Sequence, residues 1–181
     1  MCGEFLEIVN IQNEVIGLAC RGDIHRKQLK HRSVHIFVFN TAGELFLQKR
    51  VPTKDEFPGF YDSSAAGHVN PAESYYDAAA RELKEELGIT ARLEKVAELP
   101  ASEDTGWEFV WFYKTVTNDA VKPNPEEIEN GGFYSLREIK KCLFANDKKF
   151  TPSFKRLLGI YLKHSAREPK ALPHSYNEAA D

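Results

Sequence analysis

The stretch that most limits the folds open to this chain is Ala79 to Ile89, "AARELKEELGI". Tyr76, Ala80, Leu83 and Leu87 recur at i, i+4, i+7 and i+11, an apolar stripe along one side of an α-helix, and Gly88 stands where a C-terminal cap belongs. A helix with one apolar stripe must bury it against another layer, so the remaining chain has to supply a sheet or further helices. Sheet is what it offers. "EFLEIVNIQNEVIGLA" reads as two short strands joined at Asn13-Glu14, "SVHIFVFN" and "ELFLQKR" as a second pair around "TAG", and "ARLEKVAELP" and "WEFVWFYKTV" as two more. "GFYSL" is a short strand leading into a helix over "SLREIKKCLF". Thr151 as N-cap and Pro152 at the first helical position open a terminal helix. "GDIHRKQLKHR" reads as a basic loop, and "VPTKDEFPGFYDSSAAGHVNPAES" as a long functional loop with one short strand. The expected fold is therefore α/β or α+β, a sandwich around a mixed β-sheet. Residues 1–165 form its single domain, and the polar, proline-bearing segment 166–181 is a loose tail.

Charge and cysteine usage narrow the function. A net charge of −3 leaves no footprint for a nucleic acid polymer, so an anionic ligand would need a local cationic pocket or a metal. Cys2, Cys20 and Cys142 are odd in number and form no CxxC pair, which favours a reducing compartment. With no basic n-region, apolar h-region or long uncharged run, a cytoplasmic protein away from the membrane is expected. The opening strands offer an edge that a second copy can extend, so a homodimer stays open.

Glu82, Glu85 and Glu86 stand at i, i+3 and i+4 and share one face of the helix, expected at an accessible rim around from the stripe. Three carboxylates this close repel, which raises a pKa unless a cation intervenes. Periodicity alone leaves two readings: a solvated face diluted by Arg81 and Lys84, or a cluster of hard oxygens suited to Mg²⁺ or Mn²⁺.

The spacing around the helix separates them. Gly67, five residues, Glu73, seven residues, Arg81-Glu82-Leu83, one residue, Glu85-Glu86, one residue and Gly88-Ile89 together resemble the box of the Nudix hydrolases, with every fixed position filled. Seven specified residues at about 7% usage each recur by chance in roughly one such chain per million, so coincidence is a poor account. The resemblance implies a Nudix-type α/β/α sandwich and hydrolysis of a nucleoside diphosphate derivative or another small organic pyrophosphate with Mg²⁺, Mn²⁺ being an alternative. It makes Glu82, Glu85 and Glu86 metal ligands, joined by the backbone carbonyl of Ala66. Arg81 braces the box by pairing with Glu73, and Gly88 closes it. Glu82, Glu86 or a downstream loop acid, Glu127 ahead of Glu126 and Glu129, takes the proton from water.

Upstream, "HRSVHIFVFNTAGELFLQKRVPTKDEFPGFYDSSAAGHV" resembles the branch that contains isopentenyl-diphosphate isomerases. Arg50 and Lys54 then match diphosphate-gripping residues, beside Gly67 and His68 in the binding segment. The isomerase cysteine falls at Ala66, and its later pair of acids falls at Gly106 and Glu108, so one acid remains. His25, His31 and His68 resemble that branch's metal histidines, with the first spacing shorter by one residue. Isomerisation is thus the alternative activity, set back by Ala66; a ligand sensor with no catalysis comes third, because no box glutamate is lost.

Overall fold

The computed structural model describes residues 3–166. β1 (Phe5–Val9) and β2 (Val15–Cys20) form an antiparallel hairpin sheet of their own. Its turn is held by Asn10, whose side-chain oxygen accepts from the amides of Gln12 and Glu14. The basic segment that follows is not a loop. It forms α1 (Arg21–Lys27), capped by Gln28 in the left-handed region at φ 53°, and β3 (His31–Phe39) begins directly after it. One fully buried side chain, Ile24, anchors this helix, and two turns with a single apolar residue leave no period to detect.

The main sheet continues with β4 (Leu45–Arg50), β5 (Tyr61–Asp62), β6 (Ala65–His68), β7 (Glu94–Leu99), β8 (Glu108–Val116) and β9 (Ile128–Tyr134). The long loop thus carries two short strands, and β9 starts within the acidic stretch expected to be loop. Helices α2 (Tyr75–Leu87), α3 (Leu136–Ala145) and α4 (Pro152–Ser165) complete the described chain, with Thr151 capping α4 through a hydrogen bond from the Phe154 amide. The sheet runs β5-β4-β3-β8-β7, with β6 paired to β3 and β9 to β4. Among the strands of the described residues only β3 and β8 form a parallel ladder, from His31 opposite Glu108 to Phe39 opposite Val116, so the sheet is mixed.

Alternation along β3 builds both layers. Val34, Ile36 and Val38 pack with Ala79, Leu83 and Leu87 of α2. Phe37 and Phe39 pack on the other side with Phe112 of β8 and Phe154, Leu157 and Leu158 of α4. The fold is the expected α+β sandwich with helices on both faces of a mixed sheet.

The stripe on α2 is rotated from the one the sequence suggests. Tyr76 is 46% exposed, whereas Tyr75 is buried and stacks on Trp111 with ring centroids 4.3 Å apart. The inward face comprises Tyr75, Ala78, Ala79, Leu83, Glu86 and Leu87. Glu86 therefore leaves the expected rim and is only 5% exposed. Cys142 is a free thiol but Cys20 is disulfide-bonded, so the cysteine pattern does not by itself fix a redox compartment. Among the described residues no helix is long and apolar enough to cross a membrane. The expected tail lies, from residue 167 onward, outside the described residues.

Candidate active site

β3 and β4 pair at one rung, Phe39 with Leu45, and then diverge. β6 continues beside β3 while β5 continues beside β4, and a cleft of about 600 Å³ opens there. Arg50, Lys54, Ala66, Glu82, Glu86 and Glu127 are among the residues that line it.

Arg81 is the hub of the box. Its Nε and Nη2 donate to the two carboxylate oxygens of Glu73 at 2.9 and 3.0 Å, a bidentate pair. Nη2 also donates to the carbonyl of His68 at 3.0 Å, and Nη1 donates to Glu82 at 2.6 Å and Glu85 at 3.1 Å. One guanidinium thus ties the loop before α2 to the acidic face of that helix. Gly88 ends the helix at φ 68°, its amide donating to Lys84.

The three glutamates are not equivalent. Glu85 is the exposed one, with 58% of its side chain accessible. Burial, only partly offset by Arg81, raises the Glu82 pKa above its ordinary value. Glu86 Oε2 accepts from Gln48 Nε2 at 3.0 Å and from the Ala66 amide at 3.3 Å. Burial, and after it the neighbouring Glu82 carboxylate, pushes Glu86 to about 8. Glu82 also fixes the residue beside it: a Cβ added to Gly67 would stand 2.1 Å from the Glu82 carboxyl carbon. On the opposite wall Lys54 forms an ion pair with Glu127, and burial, then Arg50, lowers the Lys54 pKa. Arg50 lies 3.4 Å from Asp62. Glu129 turns away to pair with Lys49 at 2.9 Å, and Glu126 is exposed outside the cleft.

His68 continues the cleft into a second cluster. One ligand atom each from His25, His31, His68 and Glu108 lie within 4.8 Å of one another. His31 Nδ1 donates to the Leu29 carbonyl at 2.9 Å, and its buried Nε2 lies 3.4 Å from Glu108 Oε1 without a hydrogen bond. The donor set of three imidazoles and one carboxylate, with the His31 Nε2 unpaired beside Glu108, fits a divalent metal. Outer partners steady each member: Glu56 lies 3.5 Å from His25 Nδ1, Glu4 lies 3.5 Å from His68 Nδ1, and Ser33 Oγ donates to Glu108 at 2.7 Å. Burial pulls His68 down, but its hydrogen bonds to Glu108 and Glu4 outweigh this and lift it to about 9. Gly106, at the position of the isomerases' second acid, occupies a left-handed turn at φ 66° before β8 and offers no ligand side chain. Gln48, Glu4, Glu56 and Ser33 carry no motif and are absent from the sequence reading. Only their positions in the fold reveal them.

Metal-free stability follows from these groups. Glu86 holds its proton to about 8 when folded against 4.5 ordinarily, and His68 to about 9 against 6.5. Across the shared window from 6.5 to about 8 the native state binds more protons than the unfolded chain, so stability falls as pH rises. Thermal melts in chelator should drop by roughly 5 °C between pH 6 and 8, and by less when Mg²⁺ is present. A metal-free melting temperature that rises over that interval would contradict the assignment of the buried protons.

A family model for the NUDIX domain matches residues 29–154. An uncharacterized Nudix hydrolase of Pseudomonas aeruginosa, PA4841, is 42% identical over 160 residues, covering 88% of this chain and 94% of that one. YfcD, an uncharacterized Nudix hydrolase of Escherichia coli, is 31% identical over 172 residues, covering 91% and 89%. Among solved structures, DR0079 from Deinococcus radiodurans superposes with a TM-score of 0.75 at 26% identity, covering 89% of this chain and 99% of that one. The NUDIX domain of Shewanella oneidensis NrtR, complexed with ADP ribose, shares the fold with a TM-score of 0.62 at 13% identity, covering 74% and 87%.

Proposed function

This chain belongs to the Nudix hydrolases, a family that acts on pyrophosphate bonds, and on that premise we propose that it cleaves a nucleoside diphosphate derivative or a related small organic pyrophosphate with Mg²⁺ or Mn²⁺. The observation that carries this reading is the convergence, in one cleft, of Glu82, Glu85 and Glu86 with the cations Arg50 and Lys54. Carboxylates and cations facing each other across a cleft suit a substrate that is itself polyanionic and brings divalent ions with it. The ADP ribose bound by the NrtR domain is a ligand of that chemical class.

Each residue then has a role. Glu82, Glu85 and Glu86, with the Ala66 carbonyl, hold the divalent ion. When bound, such ions neutralise phosphate oxygens and acidify water. Arg50 and Lys54 grip the diphosphate, and the Gly67-His68 backbone brings it close to Glu82. Glu86 or Glu82 accepts the proton of the attacking water. Glu127 is the third candidate, and its ion pair with Lys54 would have to loosen first. His25, His31, His68 and Glu108 hold a second divalent ion. We read residues 1–165 as one hydrolase domain of a cytoplasmic protein.

Isopentenyl-diphosphate isomerisation is the second reading, favoured by the assembled histidine cluster. Ala66 opposes it, since a methyl group cannot move a proton. A panel of nucleotides, nucleotide sugars and small pyrophosphates with Mg²⁺ or Mn²⁺ tests both. At least one compound should release a phosphate product in a manner abolished by chelator, and isopentenyl diphosphate should not be isomerised. Isomerisation without hydrolysis would reverse the order, and inertness to the whole panel would refute both.

A further inference from the structure

His35 has no place in the scheme above, yet it is built into the same cleft. It lies on β3 two residues beyond Ser33 and four beyond His31, on the same strand face, and lines the cleft while only 6% exposed. In register it stands opposite Ala66 of β6, the residue whose amide reaches Glu86. Its Nδ1 lies 2.9 Å from the hydroxyl of Ser63, a side chain with no exposure at all. A buried hydroxyl needs an acceptor for its hydrogen, and among the described residues Nδ1 is the partner the Ser63 hydroxyl has. Ser63 therefore donates to Nδ1, which leaves the ring N–H on Nε2, on the ring edge away from Ser63.

The support behind the ring is firm. The Ser63 amide donates to Asp62 Oδ1 at 2.8 Å, Thr151 Oγ1 donates to the same oxygen at 2.9 Å, and Arg50 approaches Asp62 Oδ2 at 3.4 Å. Asp62, Ser63 and Thr151 are all buried. The bonds from Thr151 and the Ser63 amide to Asp62 hold the backbone that carries the Ser63 hydroxyl, and that hydroxyl positions the ring.

We propose that His35 is a substrate-binding residue whose Nε2–H donates a hydrogen bond to a non-bridging oxygen of a phosphate seated beside Ala66. The proposal rests on the pyrophosphate reading and adds to it an oriented donor, which favours a charged phosphate oxygen.

Long-range ¹H–¹⁵N spectra of the full chain, loaded with Mg²⁺ and titrated with methylene-bridged diphosphonate, test it without turnover. His35 should appear as the Nε2–H tautomer, Ser63→Ala should mix the tautomers, and the Nε2 resonance should move as diphosphonate binds. His35→Ala should weaken diphosphonate binding about tenfold or more, while His35→Gln, which keeps an N–H donor, should recover most of it. An Nδ1–H tautomer, an Nε2 resonance unmoved at saturation, or binding within twofold of wild type in His35→Ala overturns the proposal. Wild-type protein that fails to bind diphosphonate overturns this proposal and the pyrophosphate reading together. Binding that answers to His35, in a protein inert to every compound of the panel, would sink hydrolysis alone.

Discussion

Glu86→Gln should lower kcat on the order of 10³-fold and leave the metal-free melting temperature unchanged or higher. The two effects have one origin. Glu86 is held in place by Gln48 and the Ala66 amide, and burial together with the nearby Glu82 disfavours its charge. Glutamine has the same shape, can still accept from both donors and is neutral without taking up a proton, so the fold is spared the cost of neutralising a buried acid and loses no packing. What it cannot do is bind a divalent ion as an anion or take up a proton. Glu85→Gln should also remove most turnover, with no change in stability, because that side chain is mostly exposed. Steady-state kinetics beside thermal melts in chelator make the comparison. Near-normal rates in the double substitution would refute the roles assigned to both.

Gly67→Ala should cost about 10²-fold in kcat/KM with only a small loss of stability. Its φ is not in the left-handed region, so backbone strain is not the cause. The added methyl would stand 2.1 Å from the Glu82 carboxyl carbon, and the far end of that side chain is free to swing aside. Swinging aside preserves the fold and displaces a carboxylate that the cleft needs in position, with its Arg81 hydrogen bond at 2.6 Å disturbed as well. A variant that melted far below the wild type would locate the harm in folding instead. One with full activity would show that Glu82 has no fixed duty.

The box was legible because its chemistry is local. Glycine, arginine and glutamate at set spacings specify a loop, a clamp and a helix face whatever surrounds them, and Arg81 does meet Glu73 in the fold. The rotation of α2 was not legible. Whether Tyr75 or Tyr76 turns inward depends on Trp111, some 35 residues away, and that choice decides whether Glu86 is solvated or buried. α1 escaped notice because one isoleucine anchors it. The histidine cluster could be suggested only by resemblance. His25, His31, His68 and Glu108 come from four separate segments, and strand pairing joins them: His31 opposite Glu108 on one side of β3, Ser33 opposite His68 on the other. No periodicity in a sequence announces a juxtaposition made by register.

That register has a thermodynamic consequence. His31 and Glu108 form the first rung of the one parallel ladder, and a slip by a single residue would turn His31, Ser33 and His35 to the opposite side of the sheet. A divalent ion seated among the imidazoles would accordingly bind the correctly zipped chain alone and discriminate against neighbouring misalignments that keep most of the same backbone hydrogen bonds. Its occupancy would then serve as a proofreader for the slowest kind of strand association, between partners more than seventy residues apart, before the cleft has any substrate to handle.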